Sequence, residues 1–409
     1  MKRPSRRACA LASLFALAAC TCAAVAAADG PPSSDNEGQG LINLGNSFTD
    51  RGDYQSAEIA YERILGGGAF SVSDRQAALL GLGRTFRKSG NLTKAAALYE
   101  RFIKDYPTDD RLPDAYLELG RTLRAMGANK LALNRFYSVI NSTLKLPQTG
   151  FEHYQSLART AEYEIAETFY EDGDYGRASA YFSRLQLLSL SPADRARASF
   201  MAARSAILAE DLENGCRALH AFLENWPEDS NAPEARYLLA SSLRKIGRPQ
   251  EALAVVLDLL RQEQHRAHGD PKVWEYWQRR AGNLLANDFF QSGDTLSALA
   301  IYQGMASLGT EAEWQLPVLY QIGLCYERLF DFEGAVASYR KVIAIADAEK
   351  ANPKGDSAEL GRMAAWRINH VEWLQNTNTK LALFADVLGK DGKDMPRIAV
   401  PKAAEPISP

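Results

Sequence analysis

Few side chains in this sequence are spaced for bond-making or metal chemistry. His265 and His268 have a spacing that would put two imidazole ligands on one helical face, but Gly269 and Pro271 follow them and indicate a loop. The glycines at 66–68 lack the lysine that a phosphate-binding loop requires. We find no nucleophile motif elsewhere in the chain. We therefore predict that the protein is not an enzyme and that it holds no metal and no cofactor.

Residues 1–28 have the organisation of a secretory signal peptide. Four basic residues precede an apolar run at 8–19, and small residues end in Ala26-Ala27-Ala28. The apolar run is too short to cross a bilayer, which takes about 20 residues, and no later segment is long and apolar enough. We predict an exported protein with no transmembrane helix in its mature form.

The leader also contains a segment that indicates a second processing route. Leu17-Ala18-Ala19-Cys20 resembles the bacterial lipobox, whose cysteine is acylated and becomes the mature N-terminus. Cys20 is therefore either a lipid anchor or a residue discarded with the leader. In the first case Thr21, where an aspartate would favour the inner membrane, points to the outer membrane. The predicted location is periplasmic, or outer-membrane-anchored on the periplasmic side.

The charge balance argues against nucleic acid as a partner. The chain has 47 Lys and Arg against 50 Asp and Glu, and loss of the four basic residues of the leader brings the net charge to about −7. A phosphate backbone selects a strongly basic face. The mature chain offers no such excess.

One pattern occurs eight times between about residues 38 and 345. Each copy has a small residue flanked by apolar positions at helical spacing, a turn residue seven places later, and a bulky residue 16 places later. The small residues are Gly45, Gly83, Gly120, Ala166, Ala203, Ala240, Ala286 and Gly323. The spacing and the amphipathic stripes predict helical hairpins in which the small residues let two helices approach and the bulky ones fill the remaining space. These hairpins must stack to bury their apolar faces.

These residues resemble the tetratricopeptide repeat, whose pattern reads Leu-Gly, Tyr, Gly, Tyr, Ala, aromatic and Pro. The aromatic-proline stops at Tyr106-Pro107 and Trp226-Pro227 are similar to the envelope repeats of the Tol-associated periplasmic coordinator and of the outer-membrane barrel-assembly lipoprotein. The resemblance implies an all-α superhelical solenoid of about eight hairpins with a C-terminal capping helix. It also implies a protein-binding role.

The domain boundaries follow from this pattern and from composition. We predict a signal peptide at 1–28, a flexible linker at 29–40, the solenoid at 41–345, capping helices at 346–388 and a disordered Pro-rich tail at 389–409. The cap is expected to bury Met363, Trp366, Ile368 and Val371. Cys216 and Cys325 lie three repeats apart, too far to be bridged, so we expect two free thiols.

In this family the concave groove is lined by the first helix of each hairpin, at positions one, four and five after the small residue. These positions are mostly basic here, which indicates a site for an acidic peptide or a terminal carboxylate, unless the charges form an ordinary solvated face. The candidate groove residues are Arg84, Arg87, Lys88, Arg121, Arg124, Tyr170, Arg204, Arg244 and Lys245.

Two functions are compatible with this organisation. The first is a non-catalytic scaffold that binds proteins or peptides of the bacterial cell envelope in its groove. The alternative is an accessory or regulatory subunit of a glycan or peptidoglycan enzyme or exporter, in which Tyr116, Tyr163 and Tyr170 would stack on sugars.

Overall fold

The computed structural model describes residues 34–143, 151–261, 270–349 and 357–391. In these residues the chain forms helices and no strand, and consecutive helices pair into hairpins. The helices are α1 Ser34–Arg51, α2 Tyr54–Gly66, α3 Val72–Lys88, α4 Leu92–Asp105, α5 Leu112–Ala125, α6 Asn129–Thr143, α7 Phe151–Glu171, α8 Tyr175–Leu185, α9 Pro192–Leu208, α10 Leu212–Asn225, α11 Ala232–Lys245, α12 Pro249–Arg261, α13 Pro271–Gln291, α14 Thr295–Ala306, α15 Ala312–Arg328, α16 Phe332–Ala348 and α17 Ser357–Asp391. The prediction of an all-α fold of eight hairpins and a C-terminal helix is confirmed.

The turn inside each hairpin requires a left-handed residue. Glycine supplies it in six repeats, at Gly52, Gly90, Gly127, Gly173, Gly247 and Gly293, with φ between 77° and 88°. In the fifth and eighth repeats Glu210 (φ 63°) and Phe330 (φ 60°) adopt the same conformation. The helix that follows is often capped by aspartate: the side chains of Asp53, Asp174, Asp211, Asp294 and Asp331 each accept a hydrogen bond from the backbone N–H three residues on. In the first, fourth and seventh repeats a Gly-Asp pair therefore ends one helix and starts the next.

The small residue of a first helix lies against the bulky residue of its own second helix. A Cβ atom added at Gly83 would lie 2.7 Å from Cε1 of Tyr99, and one added at Gly45 would lie 2.6 Å from Cζ of Tyr61. Gly323 stands in the same relation to Tyr339, at 2.5 Å. Since all three tyrosines are buried, the 16-residue offset in the sequence marks a direct contact in the core.

The chain divides into two compact units, Met1–Thr122 and Leu123–Pro409. In the first unit, Leu79, Phe102 and Ala115 form a core cluster between neighbouring hairpins. In the second, one cluster runs from α9 to α15 and another joins α15, α16 and α17. The thiols of Cys216 and Cys325 are buried and free, as predicted. Among the helices that the structure describes, none combines the length and hydrophobicity needed to cross a bilayer.

The helical region extends beyond the predicted boundaries at both ends. Helix α1 starts at Ser34, within the predicted linker, and comes close to α3 at Gly38, where an added Cβ would lie 2.5 Å from Oδ2 of Asp74. Helix α17 continues to Asp391, past the predicted start of the tail at 389. The leader with Cys20, residues 29–33 and residues 392–409 lie outside the described residues.

The sequence predicted only some of the residues by which the capping helix packs. Ala364 and Val371 are buried against α15 and α16, with Leu360 and Ile368 beside them. Met363 and Trp366, which were expected in this core, are 41% and 61% exposed. The prediction was wrong for these two because successive residues turn by about 100° around a helix, which places Met363 and Trp366 on the side opposite Ala364 and Ile368.

Candidate partner-binding site

Most of the predicted basic groove residues are paired with carboxylates. Except for Arg121, which bonds a residue of its own helix, each pair joins the first helices of consecutive repeats and so holds one repeat to the next. The pairs are Lys88–Asp50 (2.9 Å), Arg87–Glu118 (3.0 Å), Arg121–Glu118 (2.9 Å), Arg204–Glu234 (3.5 Å) and Arg244–Asp288 (2.5 Å). Much of the predicted positive charge is therefore neutralised within the protein.

Arg124 forms the most extensive of these contacts. Its guanidinium lies 2.7 Å from a carboxylate oxygen of Glu164 and 3.3 Å from one of Glu167, with Glu171 at 3.7 Å. The Arg124 side chain is 17% exposed and that of Glu164 only 9%. The shielded guanidinium of Arg124 contacts three carboxylates of α7 and so fixes the position of that helix. Its N–H donors face inward instead of toward a ligand.

The predicted aromatic residue Tyr170 is also packed. Its ring meets that of Tyr175 at 5.4 Å, and the guanidinium of Arg204 lies 5.8 Å from its centroid. Burial raises the pKa of the Tyr170 hydroxyl. Tyr163 is covered in a similar way by Arg197, at 5.0 Å.

Arg84 and Lys245 differ from the other basic positions. Neither makes a salt bridge with any residue in the described ranges, and both are exposed. Arg84 belongs to the first unit. Lys245, in the second unit, borders a cleft of about 270 Å³ between α11 and α13 that is lined by Ser241, Arg244, Lys245, Leu284, Leu285 and Asp288. Leu284 is 48% exposed there, so the cleft offers an apolar contact beside an unneutralised ammonium group.

An aromatic cluster lies on the same two helices. The ring of Trp277 contacts those of Tyr237 (5.1 Å) and Tyr276 (5.0 Å). The guanidinium of Arg280 lies 5.4 to 5.8 Å from all three centroids and donates a 2.5 Å hydrogen bond to the hydroxyl of Tyr276. We call Tyr237, Tyr276, Trp277 and Arg280, together with the cleft residues, the repeat 6–7 face.

A carboxylate borders this face. Glu234 lies on α11 one helical turn before Tyr237, and burial raises its pKa while Arg204 and Arg280 oppose the shift. The arrangement contains aromatic rings, guanidinium groups and an exposed leucine. Trp, Tyr and Arg are the residues that most often dominate the energy of protein interfaces.

The predicted positions found only part of this face. They include Arg244 and Lys245, but the aromatic cluster precedes the small residue instead of following it. Tyr237 lies three residues before Ala240, a position on the same side of the helix as Arg244. Trp277 lies nine residues before Ala286, in the N-terminal part of α13, which at 21 residues is one of the longest first helices. The 46-residue spacing between repeats six and seven was the available signal for this extension.

The described residues contain no group of three or more His, Cys, Asp and Glu that could hold a metal ion. His265 and His268 lie outside the described residues. The repeat 6–7 face is built from side chains that stack and donate hydrogen bonds.

Comparison with known proteins agrees with the repeat pattern. Two family models described as tetratricopeptide repeat match, one at residues 42–110, 80–140 and 200–267 and the other at 316–349. No curated protein matches the sequence.

Similar solved structures include the apo form of RapI, which is 12% identical with a TM-score of 0.47 over 77% of this chain and 99% of that one. A tetratricopeptide repeat protein from Parabacteroides merdae is 13% identical, with a TM-score of 0.38 over 71% of this chain and 98% of that one. PilF from Pseudomonas aeruginosa is 13% identical, with a TM-score of 0.40 over 60% and 99%.

Tetratricopeptide repeats generally mediate protein–protein interaction. The matched residues cover hairpins in both compact units. The chain therefore contains tetratricopeptide repeats.

Proposed function

We propose that the protein is a non-catalytic scaffold of the bacterial cell envelope and that its partner, a protein or peptide, binds the repeat 6–7 face. The observation that carries the proposal is that α11 and α13 together carry both an aromatic and guanidinium cluster, in which Tyr276 is 52% exposed, and a cleft bordered by the exposed Lys245 and Leu284. An exposed patch of this composition on a repeat protein is typical of an interaction site.

The chemistry of the face indicates the kind of partner. Leu284 and Tyr276, which are 48% and 52% exposed, offer an apolar and an aromatic contact to a partner side chain. Lys245 makes no salt bridge with the described residues and offers an ammonium group to a carboxylate. Arg244 contributes less charge because Asp288 neutralises it. We therefore propose that the predicted acidic ligand is a peptide segment that carries one apolar side chain and a carboxylate close to it.

The location is proposed from the leader sequence. The basic start, the short apolar run and the small residues at 26–28 support export, and Leu17-Ala18-Ala19-Cys20 supports a lipid anchor in the outer membrane. Partners in outer-membrane biogenesis, wall synthesis or polysaccharide export fit this location.

The glycan-linked alternative has less support. Arg197 and Arg204 lie over the rings of Tyr163 and Tyr170, so these faces are not open platforms for a sugar. Saturable binding of purified glycan, lost on Tyr170→Ala, would favour the alternative.

A paired substitution tests the proposed face. Tyr276→Ala combined with Lys245→Ala removes the exposed aromatic ring and the available cation, so we expect partner affinity to fall at least about 100-fold. Binding is measured with partners identified by crosslinking in intact cells and then purified. The matched control is Leu187→Ala with Arg217→Ala, two exposed positions outside the face, which should leave binding unchanged. Equal partner affinity of both double variants would show that the partner does not bind the repeat 6–7 face.

A further inference from the structure

The outer side of α17 carries a row of exposed apolar and aromatic side chains. Met363, Trp366 and Trp373 are 41%, 61% and 60% exposed. The imidazole of His370 stacks between the two indoles, at 5.3 Å from Trp366 and 6.1 Å from Trp373, with interplanar angles of 6° and 17°. We call these four residues the outer stripe.

The outer stripe is unusual for the last helix of a repeat stack. A terminal helix normally needs a polar outer face, because its inner face already covers the last repeat. The inner face of α17 does this with Ala364 and Val371. A helix that is apolar on two opposite sides has the composition of one with neighbours on both sides. The second neighbour has to come from outside the described residues.

The C-terminal half of α17 supports the same conclusion. Beyond Val371 no described side chain up to residue 383 is buried, and Leu381 and Leu383 are 57% and 62% exposed. An isolated helical segment of about 12 residues is marginal in water. A packing partner along this segment would account for its regular helix.

The spacing of the outer stripe indicates that the neighbour is a single helix. Residues 363, 366, 370 and 373 follow the three-four alternation of a coiled-coil seam. Such a narrow seam takes one helix alongside, whereas a helix that packs on a globular core has a wider apolar face.

We infer that α17 pairs with α17 of a second copy of this chain in an antiparallel two-fold arrangement. A two-fold axis near residue 368 sets Met363 opposite Trp373 of the second copy and Trp366 opposite His370 of the second copy. Every residue of the outer stripe then meets another member, as an isologous interface requires. Thioether–indole and indole–imidazole contacts of this kind are favourable.

A cleft at the start of α17 is placed to receive the indole of the second copy. It has a volume of about 370 Å³ and is lined by Tyr320, Glu359, Arg362, Met363, Trp366 and Arg367. Because Met363 forms part of its wall, the antiparallel register puts Trp373 of the second copy at its mouth.

The charges of α17 select the antiparallel orientation. Arg362 and Arg367 flank the outer stripe at its N-terminal end, and a parallel pair would set Arg362 against Arg367 of the second copy on both sides of the seam. The antiparallel pair sets only Arg367 against Arg367 of the second copy, near the axis, and each of these guanidinium groups lies 3.1 Å from Glu327 of its own chain. In the antiparallel pair Arg362 faces the uncharged Asn376 of the second copy. Lys380 then lies within one turn of Glu359 of the second copy, which adds an attraction at each end.

Sedimentation equilibrium of the purified full chain tests the inference. We expect a dimer that dissociates on dilution. Trp366→Ala with Trp373→Ala should raise the dissociation constant at least about 100-fold. Both residues are exposed in the single chain, so the variant should keep its helical circular dichroism. The control Leu131→Ala with Leu187→Ala removes two exposed leucines elsewhere and should still dimerise.

Cysteine crosslinking tests the orientation without altering the outer stripe. A mixture of Arg362→Cys chains and Asn376→Cys chains should form mixed disulfide dimers, and neither variant alone should do so through the new thiol. Self-linking of Arg362→Cys would show a parallel pair and overturn the proposed arrangement. The inference would be overturned by a chain that stays monomeric at every concentration, or by a dimer whose dissociation constant does not change when both tryptophans are replaced. It would also be overturned if another protein, and not the second copy, occupied the outer stripe. None of these results depends on the repeat 6–7 face.

Discussion

Replacing Arg124 with alanine is expected to lower the free energy of unfolding by about 3 kcal/mol. The substitution leaves Glu164, whose side chain is 9% exposed, without its 2.7 Å partner and next to Glu167. Removing one member of a shielded ion pair typically costs about 3 to 5 kcal/mol, because the remaining charge stays buried. We take the lower end because Glu171, the third carboxylate, is half exposed. Urea unfolding followed by circular dichroism measures the loss, and hydrogen exchange in α7 locates it.

Arg84→Ala is the matched control for this prediction. Arg84 was predicted to belong to the same groove, but it is exposed and makes no salt bridge with a described residue, so its removal should change the free energy of unfolding by less than about 0.5 kcal/mol. Equal effects of the two substitutions would contradict the structural role assigned to Arg124.

Gly83→Leu is expected to cost about 3 kcal/mol of stability. A Cβ atom at this position already comes within 2.7 Å of Cε1 and 2.8 Å of Cζ of the Tyr99 ring, so a whole side chain forces the two helices apart. Overpacking of a dense core costs about 1 to 3 kcal/mol, and we expect the upper end because the first added atom already meets the buried Tyr99 ring. The measurement is the midpoint and slope of urea unfolding.

Two further variants show whether the contact with Tyr99 is the cause. Gly83→Leu combined with Tyr99→Ala should recover part of the loss, because the leucine fills space that the ring vacates. Tyr99→Phe alone should be nearly neutral, since the hydroxyl of Tyr99 is buried without a hydrogen-bond partner in the described part of the chain. Additive losses in the double variant would mean that Gly83 and Tyr99 do not share a contact.

The fold could be predicted from the sequence because its determinants are local. Gly83 and Tyr99 are 16 residues apart in one hairpin, and the recurrence of a small and a bulky residue at this spacing indicates close packing of the two helices. The left-handed turn residue and the aspartate after it, such as Gly52 and Asp53, are set by backbone geometry that a few neighbouring residues decide.

The site could be predicted only in part because its determinants are not local. Whether Arg244 is available to a ligand depends on Asp288, 44 residues later, and no local pattern states that these two residues meet. Trp277 was missed for the same reason, since its partner Tyr237 lies in the preceding repeat. For Met363 and Trp366, the apolar character was read correctly but the side of the helix was not.

Site-specific photo-crosslinking in intact cells tests the proposed function most directly. A crosslinkable residue is introduced in separate experiments at Lys245, Tyr276 and Arg280 on the repeat 6–7 face, and at Leu131, Leu187 and Arg217 outside it. The account predicts that the three positions on the face capture one common polypeptide and that the three outside it do not. Capture of that polypeptide only from Leu131, Leu187 and Arg217 would contradict the account.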